Sequence, residues 1–187
     1  VRRHCQQARI VYDLFHVVAK YGREVIGRVR VDTANQLRHD KPARRVVKQS
    51  HWLLLRNPAN LKTPVQRIRL DEVLAANQSL MTVYVMKEQL KALWTAPTEW
   101  AWRRTWTQWL SHANESRIPA LIQFARRLRG YWRGIVSRVR WPMHTGQLEG
   151  INNKIGALQR MAYGYSDYDY FIAKLYALHL AKFALIG

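Results

Sequence analysis

Apolar residues recur along most of this chain at intervals of three or four, the spacing that gathers side chains on one face of an α-helix. From Leu14 onward Val18, Tyr21, Val25 and Val29 keep that step, which predicts a helix running to about Leu37. The period returns with Leu70, Val73 and Leu74, and then with Val83, Met86, Leu90, Leu93 and Trp94. Pro97 starts a further helix whose stripe is Trp102, Trp106, Trp109, Leu110 and Ala113, with Trp100 just ahead of it. Ile118, Leu121, Ile122, Ala125, Leu128, Trp132, Ile135 and Val139 predict one long amphipathic helix, ended by Trp141-Pro142. Thr145 is placed to cap the next helix, with apolar positions Leu148, Ile151, Ile155 and Leu158 and a stop at Gly164. Ser166 with Asp169 three residues on reads as a capping box before a last helix that buries Phe171, Leu175 and Leu178.

Two stretches depart from the helical period. Ile10-Val11-Tyr12 is a short β-branched and aromatic run stopped by Asp13, the one clear strand this pattern predicts. Between Arg38 and Pro64, the pairs Lys41-Pro42, Asn57-Pro58 and Thr63-Pro64 each push the preceding residue out of helical geometry. That region is expected to be a loop-rich connector with an apolar patch at Trp52 to Leu55. No internal repeat or low-complexity tract interrupts the chain, and the expected fold is mostly α.

Charge changes the picture more than length does. The 187 residues suit one domain, or one with a small insertion, and 48% apolar content excludes a disordered chain. With 31 Lys and Arg against 12 Asp and Glu the net charge is +19, which calls for a polyanionic partner. A lone Cys5 excludes a disulfide framework and a thiolate metal cluster, as expected in a reducing compartment. No apolar run approaches the roughly 20 residues of a membrane helix, so a soluble intracellular protein with no membrane partner is expected. Because the chain starts at Val1 and soon enters an apolar run, it is read as a fragment.

Several residues could carry chemistry. From Ser116 to Ser166, Glu149 is the only acidic residue among nine Lys and Arg. It either meets the positive end of a helix dipole, or acts as a hard oxygen ligand for a divalent ion in phosphoryl transfer. Asn152 and Asn153 follow at i+3 and i+4, so Glu149, an amide, Gly156 and Arg160 line one polar stripe able to face a DNA backbone. Arg126, Arg133 and Arg140, spaced by seven, form a second stripe available to phosphates, or else a solvated face. Asp13 and His16 lie where strand gives way to helix, either as an N-cap with a nearby polar side chain or as an acidic site with a positioned imidazole. The tryptophan spacing is that of a core face, which favours packing over base stacking. The remaining histidines show no paired ligand spacing, and no P-loop, G-x-S-x-G or G-x-G-x-x-G occurs.

Two segments together resemble a known group. These are Val11-Tyr12-Asp13-Leu14-Phe15-His16-Val17 and Gly146-Gln147-Leu148-Glu149-Gly150-Ile151-Asn152-Asn153-Lys154-Ile155, followed by Arg160-Met161-Ala162-Tyr163-Gly164-Tyr165. With the connector Leu37 to Lys41 and the stretch Lys48 to Asn57, they are similar to bacterial insertion-sequence transposases of the ISL3 family over nearly the whole chain. The resemblance implies the C-terminal part of an RNase H-like α/β domain with an acidic DDE triad, two divalent ions (Mg²⁺ or Mn²⁺) and a helical insertion before the last catalytic helix. On that analogy Glu149 is the triad glutamate and a metal ligand, while Asp13 with His16 is an accessory D-x-x-H motif or contains a catalytic aspartate. Residues 1–37 would belong to a partial core, 38–140 to the insertion and 141–187 to the region of the catalytic helix. Arg126, Arg133, Arg140, Asn152, Asn153, Lys154 and Arg160 would contact DNA, both element ends and target. The implied enzyme is bacterial, cytoplasmic, DNA-associated and homo-oligomeric when intact, and this piece alone would be inactive. The alternative is a non-catalytic DNA-binding remnant. The chain departs from the family in lacking basic residues at Gly156, Gln159 and Ser166, and Gly156 costs its helix about 1 kcal/mol relative to Ala.

Overall fold

The computed structural model describes residues 7, 10–142, 146–161, 164 and 166–184, with side chains for all of these except 146–149 and 178–184. The fold is mostly α. Its α-helices are α1 Leu14–Tyr21, α2 Gly27–Gln36, α3 Lys41–Gln49, α4 His51–Leu55, α5 Pro64–Ala76, α6 Gln78–Ala92, α7 Glu99–Glu115, α8 Pro119–Arg129, α9 Trp132–Arg140, α10 Gly146–Met161 and α11 Tyr168–Ala184. A π-helical turn, Gly22–Ile26, joins α1 to α2, so the helix expected from Leu14 to about Leu37 is continuous. The chain divides into two compact units, residues 1–143 and 144–187.

Local chemistry explains the helix starts. Asp13 caps α1 by accepting from the Phe15 amide at 3.3 Å, and Asp40 caps α3 by accepting from Ala43 at 3.0 Å. Thr63 and Thr98 do the same for α5 and α7. Pro42, Pro64 and Pro119 sit in the first turns of their helices, where the missing amide hydrogen costs nothing. The connector between Arg38 and Pro64 is therefore not loop-rich: it holds α3, α4 and the 3₁₀ turn Pro58–Asn60. A proline disfavours helical geometry in its predecessor, yet it begins a helix as readily as it ends one.

The first unit buries a continuous core. Tyr21, Val25, Ile26, Leu54, Leu80, Val83, Leu90, Trp109, Ala113 and Leu121 are among the side chains that reach 0–1% exposure. Several polar tips inside it are paired, as burial favours. The Tyr21 hydroxyl donates to the Val83 carbonyl at 2.8 Å, and the Trp109 indole donates to the Met86 carbonyl at 2.9 Å. Tyr21 also meets Phe124 edge to face at 5.1 Å. Lys87 is 1% exposed and donates to the carbonyls of Leu54 at 2.7 Å and Arg56 at 3.3 Å, the negative end of α4. Burial lowers its pKa, and the adjacent Glu88 carboxylate at 3.2 Å opposes that shift.

Two further expectations change. Ile10-Val11-Tyr12 forms no strand, and among the described residues none is present. A strand needs a neighbouring strand, whereas the Tyr12 amide donates to the Gly134 carbonyl of α9 at 3.0 Å and the Tyr12 carbonyl accepts from the Trp94 indole at 3.2 Å. The Tyr12 ring lies against Gly134 so closely that a Cβ there would collide with it. The amphipathic run from Ile118 to Val139 is two helices, since the chain turns at Gly130-Tyr131 between α8 and α9. Of the expected positions Leu121, Ala125, Leu128 and Ile135 are buried while Ile118, Ile122, Trp132 and Val139 are half-buried, with α8 packing on α7 and on the π turn and α9 packing on α7.

In the second unit α10 and α11 occur where the periodicity placed them. Gly164 takes φ +99°, a left-handed value suited to glycine, and its amide donates to the Gln159 carbonyl at 3.0 Å. The cap of α11 is Asp167 rather than Ser166, because the Asp167 carboxylate accepts from the Tyr170 amide at 3.0 Å. Thr145 and the side chain of Leu178 lie outside the described residues. Phe171 and Leu175 are half-buried rather than buried.

Candidate nucleic-acid interface

A cationic groove of about 910 Å³ lies in the first unit, between the π turn with α2 on one side and α8 on the other. Arg23, Arg28, Arg126 and Arg127 line it together with only two carboxylates, Glu24 and Asp32. Those carboxylates are already engaged. Arg127 pairs with Glu24 at 2.6 Å, Lys20 approaches the same carboxylate at 3.9 Å, and Arg28 pairs with Asp32 at 3.1 Å. Arg23 and Arg126 are exposed, and neither has an ion-pair partner among the described residues. The groove therefore presents two uncommitted guanidinium groups framed by two paired ones. Planar guanidinium forks match phosphate oxygens.

The other arginines of the expected stripe are placed differently. Arg133 is exposed on α9 and lies 5.8 Å from the centroid of the Trp132 ring. Arg140 ends α9, with its guanidinium 5.9 Å from the Trp141 ring. Because the chain turns at Gly130-Tyr131, a spacing of seven no longer puts Arg126 on the helical face of Arg133 and Arg140. Sequence reasoning missed Arg23 and Arg28, since the helix from Leu14 was read only for its apolar face. Glu24, four residues beyond Lys20 and held by Arg127, was the available signal, but it pairs across more than a hundred positions.

Asp13 is half-buried and serves as the α1 cap, and His16 is exposed beside the Phe15 ring at 5.5 Å. In the second unit the backbone of α10 places residues 149, 152, 153, 156 and 160 on one face. Asn152, Asn153, Lys154 and Arg160 are exposed. The Arg160 guanidinium folds over Gly156, 3.4 Å from where a Cβ would stand. The side chain of Glu149 lies outside the described residues. Among the described residues no three His, Cys, Asp or Glu side chains gather closely enough to hold a metal ion. No described helix is long and apolar enough to cross a membrane.

Strong basic charge and a guanidinium-lined groove are features that nucleic-acid-binding proteins share. A family model described as transposase, of the ISL3 DDE type, matches residues 1–175, and the chain belongs to that family. It is 57% identical over 178 residues to the transposase for insertion sequence element IS1001 of Bordetella parapertussis, covering 95% of this chain and 43% of that protein. It is 27% identical over 129 residues to the transposase for insertion sequence element IS1557 of Mycobacterium tuberculosis, covering 69% of this chain and 29% of that protein. The chain thus spans less than half the length of the curated relatives it matches. No solved structure matches it.

Proposed function

We propose that this chain binds DNA as the C-terminal part of an insertion-sequence transposase, a DDE polynucleotidyl transferase that cleaves element ends and joins them to a target. The observation that carries the DNA-binding reading is the groove with Arg23 and Arg126 uncommitted beside two internally paired arginines. Arg133 and Arg140 on α9, and Asn152, Asn153, Lys154 and Arg160 on α10, extend the phosphate-facing surface of their own units. Residues 1–37 and 141–187 belong to the RNase H-like core of the whole protein, and 38–140 to its helical insertion. The whole protein works as a homo-oligomer.

Glu149 is the triad glutamate in this reading. Its carboxylate, with the amides of Asn152 or Asn153 on the same α10 face, has the hard oxygen donors that Mg²⁺ or Mn²⁺ takes. Bound ions of that kind would activate the attacking and leaving oxygens of a phosphodiester. One carboxylate is one ligand of such a set, so this chain supplies Glu149 while further acids complete the site. Asp13 fixes the start of α1 and thereby the direction of His16, an accessory positioning role.

The test is a salt titration of the 187-residue chain on duplex DNA carrying element ends and on a scrambled duplex. Affinity is expected to fall steeply with salt, and Arg126→Ala should reduce the slope by about one unit, since each neutralised phosphate contributes about 0.9. Glu149→Gln should leave binding unchanged or tighter, because removing a negative charge does not weaken a contact to phosphate. Salt-independent binding, or an Arg126→Ala slope equal to that of the parent, overturns the reading.

A further inference from the structure

We propose that a cavity of about 610 Å³ in the first unit, lined from α7 and α9 with the end of α8, receives a single unstacked nucleobase of bound DNA. The inference rests on the DNA-binding reading and names a second contact for the same ligand. The cavity lies within the roughly 300–1,000 Å³ over which small-molecule sites range. Its wall is aromatic and cationic: Trp102, Trp106 and Trp132, with Arg103 and Arg129.

Each element of that wall suits a base better than an aliphatic ligand. Trp102 and Trp106, one turn apart on α7, are stacked with centroids 5.1 Å apart and planes 18° from parallel. Both are buried and form the apolar floor, and the half-buried Trp132 offers the ring on which a planar heterocycle entering the cavity can stack. Trp132 is half-buried, and Arg103, held by Glu99 at 2.6 Å, stands 5.5 Å from its ring centroid. Arg129, exposed in the last turn of α8, has no ion-pair partner among the described residues, which leaves its guanidinium for the phosphate attached to the base. Trp102 lies beneath them at 1% exposure, with its indole Nε1 unpartnered among the described residues. In paired DNA the flat faces of the bases are covered by their neighbours in the stack, so only an extruded or unpaired nucleotide can offer such a face to the cavity. The Arg23 and Arg126 groove has no aromatic lining and holds backbone instead. The cavity and the groove thus divide base from phosphate.

Two duplexes of one sequence test this with the 187-residue chain, one fully paired and one carrying a single extrahelical 2-aminopurine. Binding of the extrahelical duplex is expected to be about tenfold tighter, the scale of one base–aromatic stack, with quenching of the 2-aminopurine emission as it stacks on indole. Ser111→Trp, at an exposed lining position, should fill the cavity and abolish both the preference and the quenching while the paired duplex binds as before. Equal affinity for the two duplexes, or a preference that survives Ser111→Trp, overturns the cavity while leaving the groove intact. Binding of neither duplex at low salt overturns the DNA-binding reading and this inference with it.

Discussion

Residues 1–143 and residues 144–187 are written in the same helical period, yet they use it differently. In the first unit the stripes close on one another, and Trp102, Trp109, Leu90 and Leu121 are at most 1% exposed. In the second, no described side chain is buried. Ile151 is 44% exposed on α10, Met161 is 78% exposed at its end, and Tyr168 and Tyr176 are about 70% exposed on α11. Period identifies the face of a helix; it does not supply the surface that covers it. The first unit draws its stability from tertiary burial, whereas the described side chains of α10 and α11 are at most half-buried, and local terms such as the Asp167 cap and the Gly164 stop weigh more there.

The largest expected effect probes that contrast directly. Trp109→Ala should destabilise the first unit by about 3–5 kcal/mol in denaturant unfolding, while Met161→Ala, at a 78% exposed position, should fall within about 0.5 kcal/mol of the parent. Comparable losses would break the comparison. Next, Gly134→Ala drives a Cβ into the Tyr12 ring and should cost about 1–3 kcal/mol, with faster amide exchange at Tyr12, whose N–H bonds to the Gly134 carbonyl. A neutral outcome would mean that the N-terminal segment is not docked on α9.

A gain is expected in the second unit. Gly156→Ala adds a methyl at ordinary contact distance from the flexible Arg160 end, so α10 should gain about 1 kcal/mol of helix propensity, read as slower amide exchange along α10. A loss there would show that Gly156 serves a close approach. The smallest effect is a titration. Burial, with Arg30 contributing, lowers the His51 pKa below 6.5, so the folded protein disfavours the imidazolium. Stability should be full above pH 6.5 and fall as pH drops from there through the lowered value. His51→Gln should remove that part of the slope, measured by unfolding at a series of pH values.

Most of the helices were legible because their stripes are long: α5 to α8, the run from Leu14 to Gln36, and the stop at Gly164 all follow from spacing and caps. The connector was misread because Pro42 and Pro64 break and start helices with the same ring, and only the Asp40 and Thr63 caps, satisfied in the fold, decide which. The strand at Ile10 to Tyr12 was misread because β propensity needs a paired edge, and here the segment lies on Gly134 and Trp94.

By itself the sequence determined the helical class, the basic character and the family motifs around Asp13 and Glu149, since composition, period and short motifs are local properties of the chain. The tertiary structure decided that Arg127 is engaged, by Glu24 more than a hundred positions away, whereas the Arg28–Asp32 pair is one helical turn apart; Arg23 and Arg126 are left open. The same holds for tryptophan: spacing put Trp102 and Trp106 in a core, but only folding set them beside Arg129 and Trp132 around a cavity. The physical reason is that charge and aromatic surface act through neighbours in space, and those neighbours come from helices that the chain order separates.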